Sequence, residues 1–264
     1  VVNLDLASGE DRLQLIDTHC HLYSEPLSRD PAAAVARARD AGVRDIVVPA
    51  YDLASWRDVR DLAVAHDGVH PALGLHPWVA GEPLDGGSLH EALVQARAVA
   101  IGEIGLDYKI DGPDRARQRE VFVLQVDLAR ELDLPVILHC RGAFEDMLAI
   151  LEERAGGLRG VVHAFSRGPD LMRRFVALGL FIAFGGAVTR PRAQRAQKSA
   201  AKVPLDRLLL ETDAPAIGLD GVDAEDAEPR HVREIAAAVA ALRGLEPLAI
   251  AEITTFNARE LFRI

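Results

Sequence analysis

The chain has 264 residues, 49% of them hydrophobic and 27% charged, and a formal net charge of −10. That length can bury a large core and matches one (β/α)₈ barrel or two small domains, while no apolar run approaches the ~18 residues of a membrane span. The acidic balance argues against a long footprint on duplex DNA but not against a small anionic substrate held through metal ions, which bring their own charge.

Residues 1–12 are mixed and acidic, without a basic stretch leading into an apolar one, and are taken as an N-terminal leader with no signal peptide. From residue 13 to 264 the pattern alternates without a break in composition, as one domain. The first strand is predicted over 13–18 and runs out into His19-Cys20-His21. Successive side chains of an extended chain alternate, so His19 and His21 share a face and Cys20 points the other way. A helix over 31–41, a strand over 45–50 and a helix over 55–66 follow, then a strand over 72–75 that closes on His76. After a helix over 88–96, the fourth strand (98–104) carries Glu103 inside an apolar run. A buried acid of that kind is costly unless it is paired or bound to a metal.

A long helix over 114–132 leads to the fifth strand, 136–139, which ends on His139-Cys140-Arg141. A helix over 144–155 precedes the sixth strand, 160–164, with His163 near its end. Then come a helix over 169–178, a strand over 180–184, a shorter helix over 193–202 and the eighth strand, 208–211, followed by Asp213. Helices over 231–242 and 247–261 complete the chain. Gly42, Gly156 and Gly179 follow helical stretches, where a left-handed cap is expected.

Strands that are continuously apolar belong to parallel sheets covered by helices, and eight βα repeats point to a closed (β/α)₈ TIM barrel. The C-terminal ends of all barrel strands open on one mouth. Taken singly, each of His19, His21, Glu103, His139, His163 and Asp213 is a polar residue at a strand exit; together they form one cluster. Imidazoles and carboxylates suit Zn²⁺, Mn²⁺ or Fe²⁺, and six such groups suffice for two ions with one carboxylate shared. Such a pair lowers the pKa of a water and offsets transition-state charge, and a carboxylate such as Asp213 can also take the proton. His76 reaches the mouth without being needed as a ligand. His66, His70, His90 and His231 receive no role. Cys20 and Cys140 are not in a CxxC spacing, which suits a reducing, cytoplasmic setting, and both are expected to pack away from the mouth.

The residues match a known family. The strings Asp17-Thr18-His19-Cys20-His21-Leu22, Gly74-Leu75-His76-Pro77, Gly102-Glu103-Ile104-Gly105-Leu106-Asp107-Tyr108, Leu134-Pro135-Val136-Ile137-Leu138-His139-Cys140-Arg141, His163-Ala164-Phe165-Ser166 and Glu211-Thr212-Asp213-Ala214-Pro215 resemble the TatD family of metal-dependent deoxyribonucleases. The ending Thr255-Phe256-Asn257-Ala258-Arg259-Glu260-Leu261-Phe262 is also similar. The resemblance implies that His19, His21, Glu103 and Asp213 hold one metal, and Glu103, His139 and His163 the other. It further implies that Glu103 is the bridge, that Asp213 is the base, and that His76 and Arg141 contact substrate. Family members are known as magnesium-dependent DNases, and some relatives hydrolyse aminoacyl-tRNA esters. Four histidines are soft for Mg²⁺ alone, so Zn²⁺ and Mn²⁺ stand beside it as candidates.

Two departures from the family pattern concern substrate. Phe165-Ser166-Arg167-Gly168 stands where the family reads Phe-Ser-Gly, adding a cation near the mouth, and Arg167 is taken as substrate-binding. Asp226-Ala227-Glu228-Pro229 stands where Arg-Asn-Glu-Pro is frequent, which affects the eighth loop and leaves the ligands unchanged. The expected activity is hydrolysis of phosphodiester bonds at DNA ends by an exonuclease that is not membrane-bound, with the oligomeric state left open and a monomer compatible with the sequence. The rival is hydrolysis of an ester, amide, lactone or D-aminoacyl-tRNA by the same metal pair, and a non-catalytic metal- or protein-binding barrel is the third reading. Five basic residues between Thr189 and Lys202 favour a phosphate; five acids between Asp220 and Glu228 oppose a passing strand.

Overall fold

A computed structural model describes residues 14–154 and 156–264; the leader over 1–12 and the terminal residues Leu13 and Ala155 of two predicted elements lie outside them. Eight parallel strands follow one another around a single sheet in chain order. They are β1 (Leu15–Asp17), β2 (Val43–Pro49), β3 (Val69–Leu73), β4 (Ala100–Asp107), β5 (Val136–Arg141), β6 (Gly160–Val162), β7 (Phe181–Phe184) and β8 (Leu208–Leu210). The intervening helices are α1 (Pro31–Asp40), α2 (Ser55–Ala65), α3 (Gly86–Ala96), α4 (Arg115–Glu131), α5 (Phe144–Arg154), α6 (Pro169–Ala177) and α7 (Gln194–Ala200), with α8 (Val232–Arg243) and α9 (Pro247–Phe262) after β8. The sheet closes between β8 and β1: the Thr18 N–H donates to the Leu210 carbonyl at 3.1 Å and the His21 N–H to the Ala214 carbonyl at 2.8 Å. The expected TIM barrel is the observed fold.

Strand alternation builds two cores. One residue from each strand (Ile16, Val47, Ala72, Ala100, Ile137, Val161, Ala183 and Leu209) points inward, and Ala258, Leu261 and Phe262 of α9 plug this layer from the strand-start end. The outward residues, among them Val48, Ile104, Leu138 and Leu210, pack against the helices. Plugging one end leaves the other, the C-terminal mouth, for polar groups. Asp30, Asp85 and Asp114 cap α1, α3 and α4 by accepting N–H bonds from Ala33, Ser88 and Arg117 at 2.9, 2.9 and 2.8 Å. No helix among the described residues is long and apolar enough to cross a membrane.

Three local differences from the sequence expectation have physical causes. The third strand ends at Leu73, not residue 75, because the Gln125 side chain takes up the backbone N–H and carbonyl of Leu75 at 2.7 and 3.1 Å. The fourth continues to Asp107, since its ladder with β5 runs on to the pair Asp107 and Arg141. The left-handed caps fall on Gly42 (φ 92°) and Gly179 (φ 84°) as expected, but after α5 on Gly157 (φ 85°), one residue beyond Gly156.

Candidate metal centre at the barrel mouth

The strands deliver six side chains to one point. His139 and His163 lie two residues beyond the inward-facing Ile137 and Val161, so strand alternation turns them into the barrel. Glu103 arrives by a bulge: β4 pairs Ile101 with Val136 but Ile104 with Leu138, three residues against two. The extra residue changes the parity, so that Ile101 and Ile104 both face the helices and Glu103 faces inward. His19 and His21 lie past the end of β1, where Cys20 turns into the outer core between them, as the spacing predicted. Asp213 adopts a left-handed φ of 54°, unusual for a residue with a Cβ, and its N–H is fixed on the His19 carbonyl at 2.8 Å.

Glu103 is the centre of the cluster. Its Oε1 lies 2.7 Å from His163 Nε2, 2.9 Å from His139 Nδ1 and 3.3 Å from His76 Nε2. Its Oε2 lies 3.3 Å from His19 Nε2 and 3.8 Å from His21 Nε2. Asp213 Oδ1 stands 3.4 Å from His21 Nε2 and 3.7 Å from His19 Nε2. Thus each oxygen of one carboxylate faces a different set of imidazoles.

The far sides of three of these rings, those of His139, His21 and His76, are hydrogen-bonded, and a carboxylate stands behind that of His163. His139 Nε2 meets Asp107 Oδ2 at 3.2 Å, and that carboxylate also accepts the Trp78 indole N–H at 2.7 Å. Glu211, fully buried, accepts the Ala164 N–H and stands 3.6 Å from His163 Nδ1. Tyr23 Oη lies 3.1 Å from His21 Nδ1. At His76 the Trp78 backbone N–H donates to Nδ1 at 3.2 Å, so the neutral ring carries its proton on Nε2, the nitrogen aimed at Glu103. In that tautomer His76 is a hydrogen-bond donor and has no lone pair to offer a metal.

Electrostatics agree with a cation site. Burial opposes ionisation of Glu103, yet the imidazoles of His163, His76 and His19 hold its carboxyl well below the usual range. Asp213, also buried, is held low by His21, His19 and His163. Burial disfavours charge on His163, but Glu103 and Glu211 raise it well above an ordinary imidazole. Burial, reinforced by His163, lowers His19, and burial takes His76 down to about 4. Buried atoms are also left over: Nδ1 of His19, Nδ1 of His163 and Oε2 of Glu211 have no hydrogen-bond partner among the described residues. Three overlapping triads, His19–His163–Asp213, His19–His21–Glu103 and His76–Glu103–His139, bring ligand atoms within 4.8 Å of one another. Among these, the tautomer of His76 makes the third triad the weakest as a ligand set. The nitrogen and carboxylate donors fit divalent transition metals.

The cluster floors a cavity of about 510 Å³ walled by Tyr23, Tyr51, Trp78, Arg141, Ser166 and Ile217. His76 and Arg141 therefore stand where the sequence placed them. Arg167 does not: it borders a neighbouring cavity, with its guanidinium over the Phe144 ring at 5.0 Å. Cys140 is a correction too, since it is half-buried and lines the mouth; at the strand end both faces of β5 border open space. Arg190, in the basic segment, is turned onto the Gly218 carbonyl at 2.7 Å. In the acidic loop, Glu228 is bound by Arg37 at 2.8 and 3.0 Å. Sequence reasoning gave no role to Asp107 and Glu211, although each sits on the strand face of a ligand, four residues after Glu103 and two before Asp213.

Residues 16–263 match the family model described as TatD related DNase. This chain belongs to the TatD family. An Escherichia coli K12 relative, the uncharacterized metal-dependent hydrolase YjjV, is 42% identical over 212 residues, covering 79% of this chain and 82% of its own length. The Bacillus subtilis metal-dependent hydrolase YabD is 36% identical over 253 residues, 95% of this chain and 99% of its own. The human protein named deoxyribonuclease TATDN3 is 32% identical, with 94% of each chain covered. The crystal structure of YjjV superimposes with a TM-score of 0.88 at 37% identity over 96% of this TatD-family chain and 99% of the other. The chain is accordingly a metal-dependent hydrolase of the TatD family.

Proposed function

We propose that this hydrolase cleaves phosphodiester bonds at DNA ends, using two divalent ions held by the six residues at the mouth. The observation that carries the reading is the divided carboxylate of Glu103, one oxygen toward His139 and His163 and the other toward His19 and His21. His19, His21, Asp213 and Glu103 would hold one ion; His139, His163 and Glu103 the other. Zn²⁺ and Mn²⁺ suit four imidazoles better than Mg²⁺. Such a pair supplies Lewis acidity, lowering the pKa of a water and offsetting charge on the phosphate.

The protein groups do the rest. Asp213, ionised and at the cavity floor, takes the proton of the attacking water at its free oxygen. His76 donates from Nε2 into the same space, and Arg141 brings a guanidinium suited to a phosphate oxygen. Tyr51, Trp78 and Ile217 form the wall that shields the reacting groups from water. The two free thiols, Cys20 and Cys140, support a reducing cytoplasmic setting. That same wall favours a second reading, an ester or amide whose apolar part rests on the aromatic rings. Metal-loaded enzyme incubated with end-labelled single- and double-stranded DNA, a D-aminoacyl-tRNA and an ester panel separates the two. Release of mononucleotides supports the first; turnover confined to carbonyl substrates replaces it with the second.

A further inference from the structure

Beside the mouth lies a second cavity of about 680 Å³, bordered by Tyr108, Arg115, Gly142, Phe144, Arg167 and Leu171. The two cavities share a wall. Arg141 and Ser166 line the mouth, and the next residues of the same loops, Gly142 and Arg167, line the second cavity. The second cavity thus adjoins the mouth across these two loops.

The charge around this cavity is unevenly used. Glu145 is bound twice by Arg174, at 2.7 and 2.9 Å. Asp146 accepts from the Tyr108 hydroxyl at 2.7 Å and from Arg119 at 3.3 Å, and Asp170 is paired with Arg173. Every bordering carboxylate is thus neutralised by another group. Arg115 and Arg167 are left over: neither pairs with a carboxylate among the described residues, and each lies on an aromatic face. Arg115 sits 4.5 Å from the Tyr108 ring centre and Arg167 sits 5.0 Å from that of Phe144. A guanidinium laid on a ring keeps its fork of N–H donors free at the edge, the geometry that grips phosphate. Guanidinium and aromatic planes are also the platforms on which unpaired bases stack.

We infer that this second cavity is a nucleotide subsite, which seats the part of a single strand adjoining the bond to be cut. Arg115 and Arg167 bind its phosphates, and the two cation–ring stacks receive its bases. The inference rests on the nucleic-acid reading above and gives Arg167 a function outside the mouth.

The test uses the metal-loaded enzyme and 5′-fluorescein phosphorothioate oligothymidylates of two, four and six nucleotides, with anisotropy read across a salt series. Turnover is measured on the corresponding phosphodiesters. The four-mer should bind about ten-fold more tightly than the two-mer, as one added stack contributes. In the R115Q/R167Q variant most of this gain disappears, and kcat/KM falls at least ten-fold more on the four-mer than on the two-mer. The slope of log K against log salt for the six-mer should become shallower by about 1.4, two phosphates at ≈ 0.7 each. A gain with length that survives in R115Q/R167Q with its salt slope intact overturns the subsite and leaves the DNase reading standing. Failure of the unaltered enzyme to bind or cut any oligonucleotide, with esters turned over, overturns both.

Discussion

Asp107 holds His139 from behind: its Oδ2 lies 3.2 Å from Nε2, while Nδ1 of the same ring faces Glu103 at 2.9 Å. Burial works against ionisation of Asp107, but the bonds from His139 and Trp78 hold its carboxyl down to about 2, so it stays an acceptor at any working pH. An ionised acceptor at Nε2 keeps the proton there and leaves the Nδ1 lone pair toward the cluster. Asp107→Asn can present an N–H to the same nitrogen and so favour the wrong tautomer. Loss of such a supporting group costs about 10–100-fold in metal affinity or activity. Metal titration of the variant should show that loss with an unchanged circular dichroism spectrum; wild-type affinity would remove Asp107 from the site's support.

Glu103 should be the least replaceable of the six. Removing its side chain takes away the group shared by both halves of the cluster and leaves five imidazoles facing one another across a buried space. Elemental analysis of Glu103→Ala is expected to show at least one metal lost and nearly all turnover gone. Metal binding should also stabilise the native protein, by about 2.7 kcal/mol when free ion stands at 100 times its Kd. The Tm of the wild type should therefore rise with added metal, and that of Glu103→Ala should rise far less. Full metal content in the variant, with normal turnover, would remove the shared carboxylate from the mechanism.

Asp213→Asn isolates proton transfer from folding. The left-handed φ of 54° at this position is one that Asn tolerates nearly as well as Asp, whereas Ala would be strained there. An amide coordinates weakly and cannot take a proton, so the variant should keep part of its metal while kcat falls by about 10²–10⁴. Near-normal kcat would place the base elsewhere in the cavity.

The contrast between what was and was not legible follows from these residues. Strand count, barrel closure and the convergence of His19, His21, His139, His163 and Asp213 follow from apolar periodicity and strand-end positions alone, because the barrel gathers all C-terminal ends. Glu103 was visible as an acid in an apolar run, but the bulge that turns it inward was not, since a register shift depends on the partner strand. Asp107 and Glu211 went without roles because a buried carboxylate that orients a ring has the same sequence context as one that binds metal. Arg167 was misplaced for a related reason: one residue along a loop is enough to pass from the mouth into the next cavity.

The last prediction concerns ends against internal sites. The mouth holds about 510 Å³, and among its described lining residues Arg141 is the one arginine or lysine. The rim residues Ala216 and Ile217 lead straight into a loop whose Asp220, Asp223, Glu225 and Asp226 are exposed. A duplex continuing past the cluster in both directions would meet that acidic loop and an overall charge of −10, whereas a strand end needs to continue on one side only. Contacts to ~2–4 phosphates give a salt slope of about −1.4 to −2.8 for a single strand. Metal-loaded enzyme should shorten linear DNA from its ends and leave a covalently closed plasmid intact over the same period. Rapid nicking of the closed plasmid, or a slope much steeper than that range, would show that the enzyme grips internal DNA, and the one-sided path through the mouth would have to be abandoned.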